Sequence, residues 1–67
     1  MNLSARNQLQ GTVKSVTLGA IMAEVTVDVD GHEIVSEISR ASAKRLKLKK
    51  GDAVTAIIKS TEVMIGK

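Results

Sequence analysis

The chain has no cysteine, no proline and no aromatic residue among its 67 positions, and only one histidine. Each absence closes a route. Without cysteine there are no disulfides and no thiolate metal sites. His32 alone cannot found a zinc site without several carboxylate partners. Without Phe, Tyr or Trp, the core falls to Val, Ile, Leu, Met and Ala, which supply smaller blocks of buried area. The longest apolar run, Ala20-Ile21-Met22-Ala23, is far short of the roughly 20 residues that span a bilayer. The N-terminus is polar and lacks the apolar region of a secretory signal. The cytoplasm is the expected location.

Size adds a constraint. A chain this short forms one domain, residues 1–67, and buries only about 60% of the surface its unfolded form exposes. The usual supports for so small a fold are disulfides, a structural metal or self-association. The first two are gone, so self-association is expected.

Charge is uneven. Ten basic and seven acidic groups give a net +3, and Arg40, Lys44, Arg45, Lys47, Lys49 and Lys50 follow one another without an acid between them. The plain reading is a solvated helix and turn that keep the protein soluble. The sharper one is a field that attracts anionic partners.

The apolar period is mostly two. Val25, Val27 and Val29 alternate with Glu24, Thr26, Asp28 and Asp30, as in a half-buried strand. Asp30-Gly31 reads as a two-residue type I′ turn, which needs positive φ at both positions. That turn fixes a register. Val27 faces Ile34, Val25 faces Ser36 and Ala23 faces Ile38, forming an apolar side. On the other side Asp28 meets Glu33 and Glu24 meets Glu37, an unfavourable match of like charges. Either this register is wrong, or the acidic face meets basic groups from elsewhere, such as the Lys/Arg-rich segment of a neighbour.

Leu9–Val16 reads as a preceding strand, and Ser39 as the N-cap of a short helix to about Leu46. Ala53–Ile58 and Glu62–Ile65 read as two further strands. The expected fold is all-β, a small five-stranded OB-like barrel with one short helix, assembled into an oligomer. Adjacent apolar residues at Ile21-Met22, Ile57-Ile58 and Val63-Met64-Ile65 point to both faces of their strands. A small barrel has one inside, so a second face awaits another subunit. His32 is expected at the surface beside its turn, and Met22 and Met64 as packing side chains.

Two polar clusters carry the candidate chemistry. Ser4-Ala5-Arg6-Asn7 opens the chain, and Lys59-Ser60-Thr61 interrupts its last apolar stretch. Both are rich in hydrogen-bond donors and neither contains a carboxylate. Such a set suits a fully deprotonated oxyanion, which offers only acceptors. Arg6 and Lys59 would match a dianion's charge, and Ser4, Ser60, Thr61 and backbone N–H groups would complete a tetrahedral shell. The clusters converge if the first and last strands are neighbours, within one chain or between chains. Taken singly, each also reads as an ordinary polar arm or strand turn. Phosphate-loop, dinucleotide-binding, triad and metallohydrolase patterns are absent, so no catalytic residue is expected and the chain reads as a non-enzyme.

Ser4-Ala5-Arg6-Asn7-Gln8-Leu9 with Gly11, then Gly19-Ala20 and Ala23-Glu24-Val25, resembles the molbindins, small molybdate- and tungstate-binding Mop proteins with a TOBE-type domain. Ile38, Ser42, Leu46, Leu48, Lys49 and Gly51 fall at similar spacing, as does Ala56–Ile65. The resemblance covers essentially the whole chain. It implies a homohexamer built as a trimer of dimers, with oxyanions at subunit interfaces. It implies that Ser4, Arg6, Asn7, Lys59 and Ser60 line one class of site, joined by Thr61, Ser42 and the backbone around Ala20, and that a second class lies near the three-fold axis. The ligand it implies is molybdate or tungstate, with no organic cofactor and no membrane expected. Lys47 departs from the pattern, standing where a glycine is common between two leucines. The implied function is oxyanion storage. The competing reading is a nucleic-acid-binding OB-type module using residues 40–50, disfavoured because single-strand binders stack bases on aromatic side chains.

Overall fold

The computed structural model describes residues 1–67. Its organising element is one long strand that serves two partners. β1 (Asn7–Leu18) pairs antiparallel through its first half with β4 (Ala53–Ile58), from Asn7↔Ile58 to Thr12↔Ala53. Through its second half it pairs with β2 (Met22–Val29), from Thr12↔Asp28 to Leu18↔Ala23. A bulge between Val13 and Ser15 leaves Lys14 outside the pairing, and such insertions bend a strand and increase its twist. Gly11 allows the close crossing beside it: a Cβ there would stand 2.5 Å from the Asp28 carbonyl oxygen. With β3 (His32–Ser39) the sheet order is β3-β2-β1-β4, all antiparallel.

The hairpin forms in the register its turn dictates. Asp30 and Gly31 have φ of 51° and 84°, and Val27↔Ile34, Val25↔Ser36 and Ala23↔Ile38 pair as expected. Asp28 also opposes Glu33, and Glu24 opposes Glu37. The basic group that answers the first acidic pair comes from within the chain: Lys14, the bulge residue, donates to and ion-pairs with Glu33. Lys14 stands outside the Lys/Arg-rich segment, and Glu24 and Glu37 have no basic partner within the chain. The hydrogen bond to Glu33, then the charges of Glu33 and Asp28, hold the Lys14 ammonium pKa above its ordinary value.

Ser39 caps α1 (Arg40–Arg45): its Oγ accepts from the Ser42 N–H at 3.0 Å. The other end closes in a Schellman motif. Leu48 N–H reaches the Ala43 carbonyl and Lys47 N–H the Lys44 carbonyl, with Lys47 itself at φ 53°. Here lies the physical meaning of the lysine between the two leucines. It occupies a left-handed position that suits glycine. A turn follows in which Lys49 N–H and Nζ both donate to the Asp52 carboxylate. Those bonds, side chain first, hold the Asp52 pKa below its ordinary value.

The core is small. Val13, Val25 and Val27 are buried, with Val16, Val29, Ile34, Ile38, Leu48 and Val54 packed around them. The helix contributes Ala43. No helix is long and apolar enough to cross a membrane.

The expected fifth strand is not formed within the chain. Ser60–Glu62 is a 3-10 turn closed by Glu62 N–H on the Lys59 carbonyl at 2.9 Å. Val63, Met64 and Ile65 follow without strand pairing, Met64 and Ile65 being 92% and 90% exposed. The sheet therefore stays open on one side. Between its outer strands β3 and β4 runs an apolar groove of about 360 Å³, lined by Ile34, Ile38, Val54, Ala56 and Ile58 with Leu46 and Leu48. Met22 and Met64, expected to pack, are exposed in the single chain, as are Ile21 and Ile57.

Candidate oxyanion-binding site

The β1–β4 register brings the chain's two ends together. Asn7 pairs with Ile58, so Arg6 and Lys59 are the next residues outward on adjoining strands. Ser4 and Ala5 precede Arg6, and Ser60 and Thr61 follow Lys59 into the 3-10 turn. Gln8 Nε2 donates to the Ala5 carbonyl at 2.7 Å, tying the N-terminal arm to the strand it leads into. The composition of the cluster did not single out this contact of Gln8.

Six of the eight residues singled out in the sequence therefore gather at one end of β1: Ser4, Arg6, Asn7, Lys59, Ser60 and Thr61. Their side chains form no hydrogen bond or ion pair with the rest of the chain. Asn7 is half-buried and the other five are exposed. Two fixed positive charges thus stand beside hydroxyl and amide donors with no carboxylate bonded to them. That combination is chemically suited to an anion, through charge-assisted hydrogen bonds.

Ala20 and Ser42 lie elsewhere. The turn Gly19-Ala20-Ile21 joins β1 to β2 at the Leu18 end, and 12 residues of β1 separate it from Arg6. A strand of that length covers roughly 36 Å if straight, and the molecule's longest dimension is 34 Å. One chain cannot close all eight residues around one small anion.

The turn end has its own order. Gly19 N–H donates to the Met22 carbonyl at 2.7 Å, and Arg40 N–H to the Ile21 carbonyl at 2.7 Å. The Arg40 guanidinium donates to the Gly19 carbonyl at 3.0 Å. The N–H groups of Ala20 and Ile21 have no acceptor in the chain. Nearby, Ser39 Oγ donates to Ser42 Oγ at 2.8 Å while accepting from Ser42 N–H. Ser42 keeps its own hydroxyl proton unspent. Arg40 was visible in the sequence only as one more charge in a basic run. Its bond spans 21 residues, and no local pattern signals such a contact.

A family profile, the TOBE domain, matches residues 3–65. The chain is 48% identical over 66 residues to molybdenum-pterin-binding protein 1 of Clostridium pasteurianum, covering 97% of both chains. Among solved structures, a molybdate-binding protein from Sporomusa ovata superposes with a TM-score of 0.95 at 42% identity, over 100% of both chains. The cytoplasmic molybdate-binding protein ModG, with molybdate bound, matches at TM-score 0.83 and 44% identity, over 90% of this chain and 43% of that one. The chain belongs to the TOBE domain family, and within it to the Mop proteins.

Proposed function

We propose that this chain binds molybdate, and tungstate in its place, at interfaces between copies of itself, as a reversible intracellular store. The observation that carries the reading is the Asn7↔Ile58 register, which sets Arg6 beside Lys59 among unpaired donors. Molybdate is a dianion at neutral pH and brings no proton, so a site made only of donors suits it. Phosphate, partly protonated, would want an acceptor. Sulfate has the same charge and a smaller radius, and its rejection falls to the size of the assembled cavity.

Ser4, Arg6, Asn7, Lys59, Ser60 and Thr61 supply one part of the site. The Ala20 turn and Ser42, held at the far end of β1, come from a neighbouring subunit. The assembly is a homohexamer, a trimer of dimers, and the open groove explains the first step of its construction. The exposed Val63–Ile65 segment of one chain completes the five-stranded barrel of its partner by lying between β3 and β4. Burial of Met64 and Ile65 removes a large exposed apolar surface, the usual mark of an interface. The names of several relatives include pterin, but a chain without aromatic side chains lacks the stacking faces a flat heterocycle uses. The free oxyanion is the proposed ligand, binding is the whole activity, and the cytoplasm is its place, as for ModG.

The nucleic-acid reading finds no support in relatives named for molybdenum. Calorimetric titration with molybdate, repeated in excess sulfate on a species of measured mass, tests the proposal. Tight binding that survives sulfate on a particle several times the 7.1 kDa chain is the expected result. A folded oligomer that binds no molybdate would overturn the function.

A further inference from the structure

We infer that Arg40 is a positioning residue for the bound oxyanion, holding the Gly19-Ala20-Ile21 turn so that its backbone N–H groups face outward. The inference rests on the molybdate reading above and names the group that shapes one half of that site.

Arg40 grips the turn from both sides of Ala20. Its guanidinium takes the Gly19 carbonyl at 3.0 Å, and its backbone N–H takes the Ile21 carbonyl at 2.7 Å. Gly19 N–H closes the turn on the Met22 carbonyl. The reversal is tight enough that a Cβ at Gly19 would stand 2.8 Å from that same oxygen. With the carbonyls flanking Ala20 drawn toward the helix, the consecutive N–H groups of Ala20 and Ile21 are left without acceptors on an exposed turn. Consecutive outward N–H groups form an anion-binding concavity.

Arg40 is half-buried at the first position of α1, unlike the exposed Lys44 and Arg45 behind it. The helix start is itself fixed, because Ser39 caps it and pairs with Met22 across the sheet. The guanidinium therefore works from a rigid base. A charge at this place also attracts anions at long range, and the test must separate that effect from positioning.

The experiment compares Arg40→Met with Lys44→Met, which removes an equal charge from the same helix without touching the turn. Molybdate affinity and dissociation rate are measured at two salt concentrations, with amide exchange at Ala20 and Ile21 in the free protein. Arg40→Met is expected to weaken binding about tenfold, in the range seen when supports of ligating groups are removed. The loss should appear as faster dissociation, with faster exchange at both amides. Lys44→Met should stay within about twofold and alter chiefly the salt dependence. Equal weakening by both variants would reduce Arg40 to a charge and overturn the inference, as would unchanged binding and exchange in Arg40→Met. Wild-type protein that fails to bind molybdate would instead overturn the functional reading, and the inference with it.

Discussion

At the Asn7 end of β1 the donors are side chains that no other group in the chain engages; at the Leu18 end they are backbone N–H groups on a turn held by Arg40. The first end brings charge. Arg6 and Lys59 are exposed and unpaired, suited to attracting a dianion but poor at measuring its size. The second brings geometry. Its N–H groups have fixed separation, carry no net charge and sit beside a capped helix. Selectivity among anions of like charge needs a rigid partner of this kind, since charge alone does not distinguish sulfate from molybdate. The chain places the two ends apart and leaves apolar surface exposed, which in the proposed assembly brings copies together.

The strongest way to break the comparison is to stop the ends from meeting. Replacing Met64 and Ile65 together by Asp leaves every donor in place while charging the segment proposed to fill a partner's groove. Sizing should show loss of the assembly, and molybdate binding should vanish with it. An assembly of normal mass would refute the groove's role. Next in size is the charge end itself: Arg6→Ala should weaken molybdate binding at least tenfold by calorimetry, about the value of one charge-assisted hydrogen bond. Unchanged affinity would remove Arg6 from the site.

A smaller effect sharpens the picture of the helix that carries Arg40 and Ser42. Lys47 stands at φ 53° in the Schellman position. Lys47→Gly should raise stability by about 0.5–1 kcal/mol, read from denaturant melts, without moving the molybdate affinity.

The smallest is a pH effect in the turn after that helix. The Asp52 pKa is lowered by Lys49, so its contribution is present above the unfolded carboxylate value and fades as pH falls through the folded one. Asp52→Asn should flatten the acid limb of the stability profile and leave neutral-pH binding intact. An unchanged acid limb would show that the Lys49 bonds add nothing to stability.

What the sequence made legible was local. The Asp30-Gly31 turn needs only its own backbone geometry, so it set the β2–β3 register correctly, down to the opposed Asp28 and Glu33. Ser39 as a cap is a matter of three residues and was equally readable. The meeting of the two donor clusters was legible only as a condition on neighbouring strands, and the strand that brings them together is Ala53–Ile58 beside β1, not the expected last strand Glu62–Ile65. Contacts set by the bend of β1 were hidden. Lys14 reaches Glu33 because a bulge turns it out of the ladder, and Arg40 reaches Gly19 across 21 residues. Glu62–Ile65, expected as a strand, is unpaired in the single chain for another reason. Its consecutive apolar side chains suit a strand buried on both faces, but in the single chain the free edges of β3 and β4 stay unpaired and Ser60–Glu62 folds into a turn. In the proposed assembly its partner is a second subunit, so the pattern has no place within one chain.

The most direct test of the central claim, that one site is built from the two ends of different chains, is complementation. Arg6→Ala damages the charge end only, and Ala20→Pro removes an N–H from the turn end only. Each variant alone should bind molybdate weakly. Refolded together and confirmed by mass to share particles, they should regain wild-type affinity at about a quarter of the sites, the share in which random mixing joins two intact ends. A mixture that binds no better than either parent would contradict the claim.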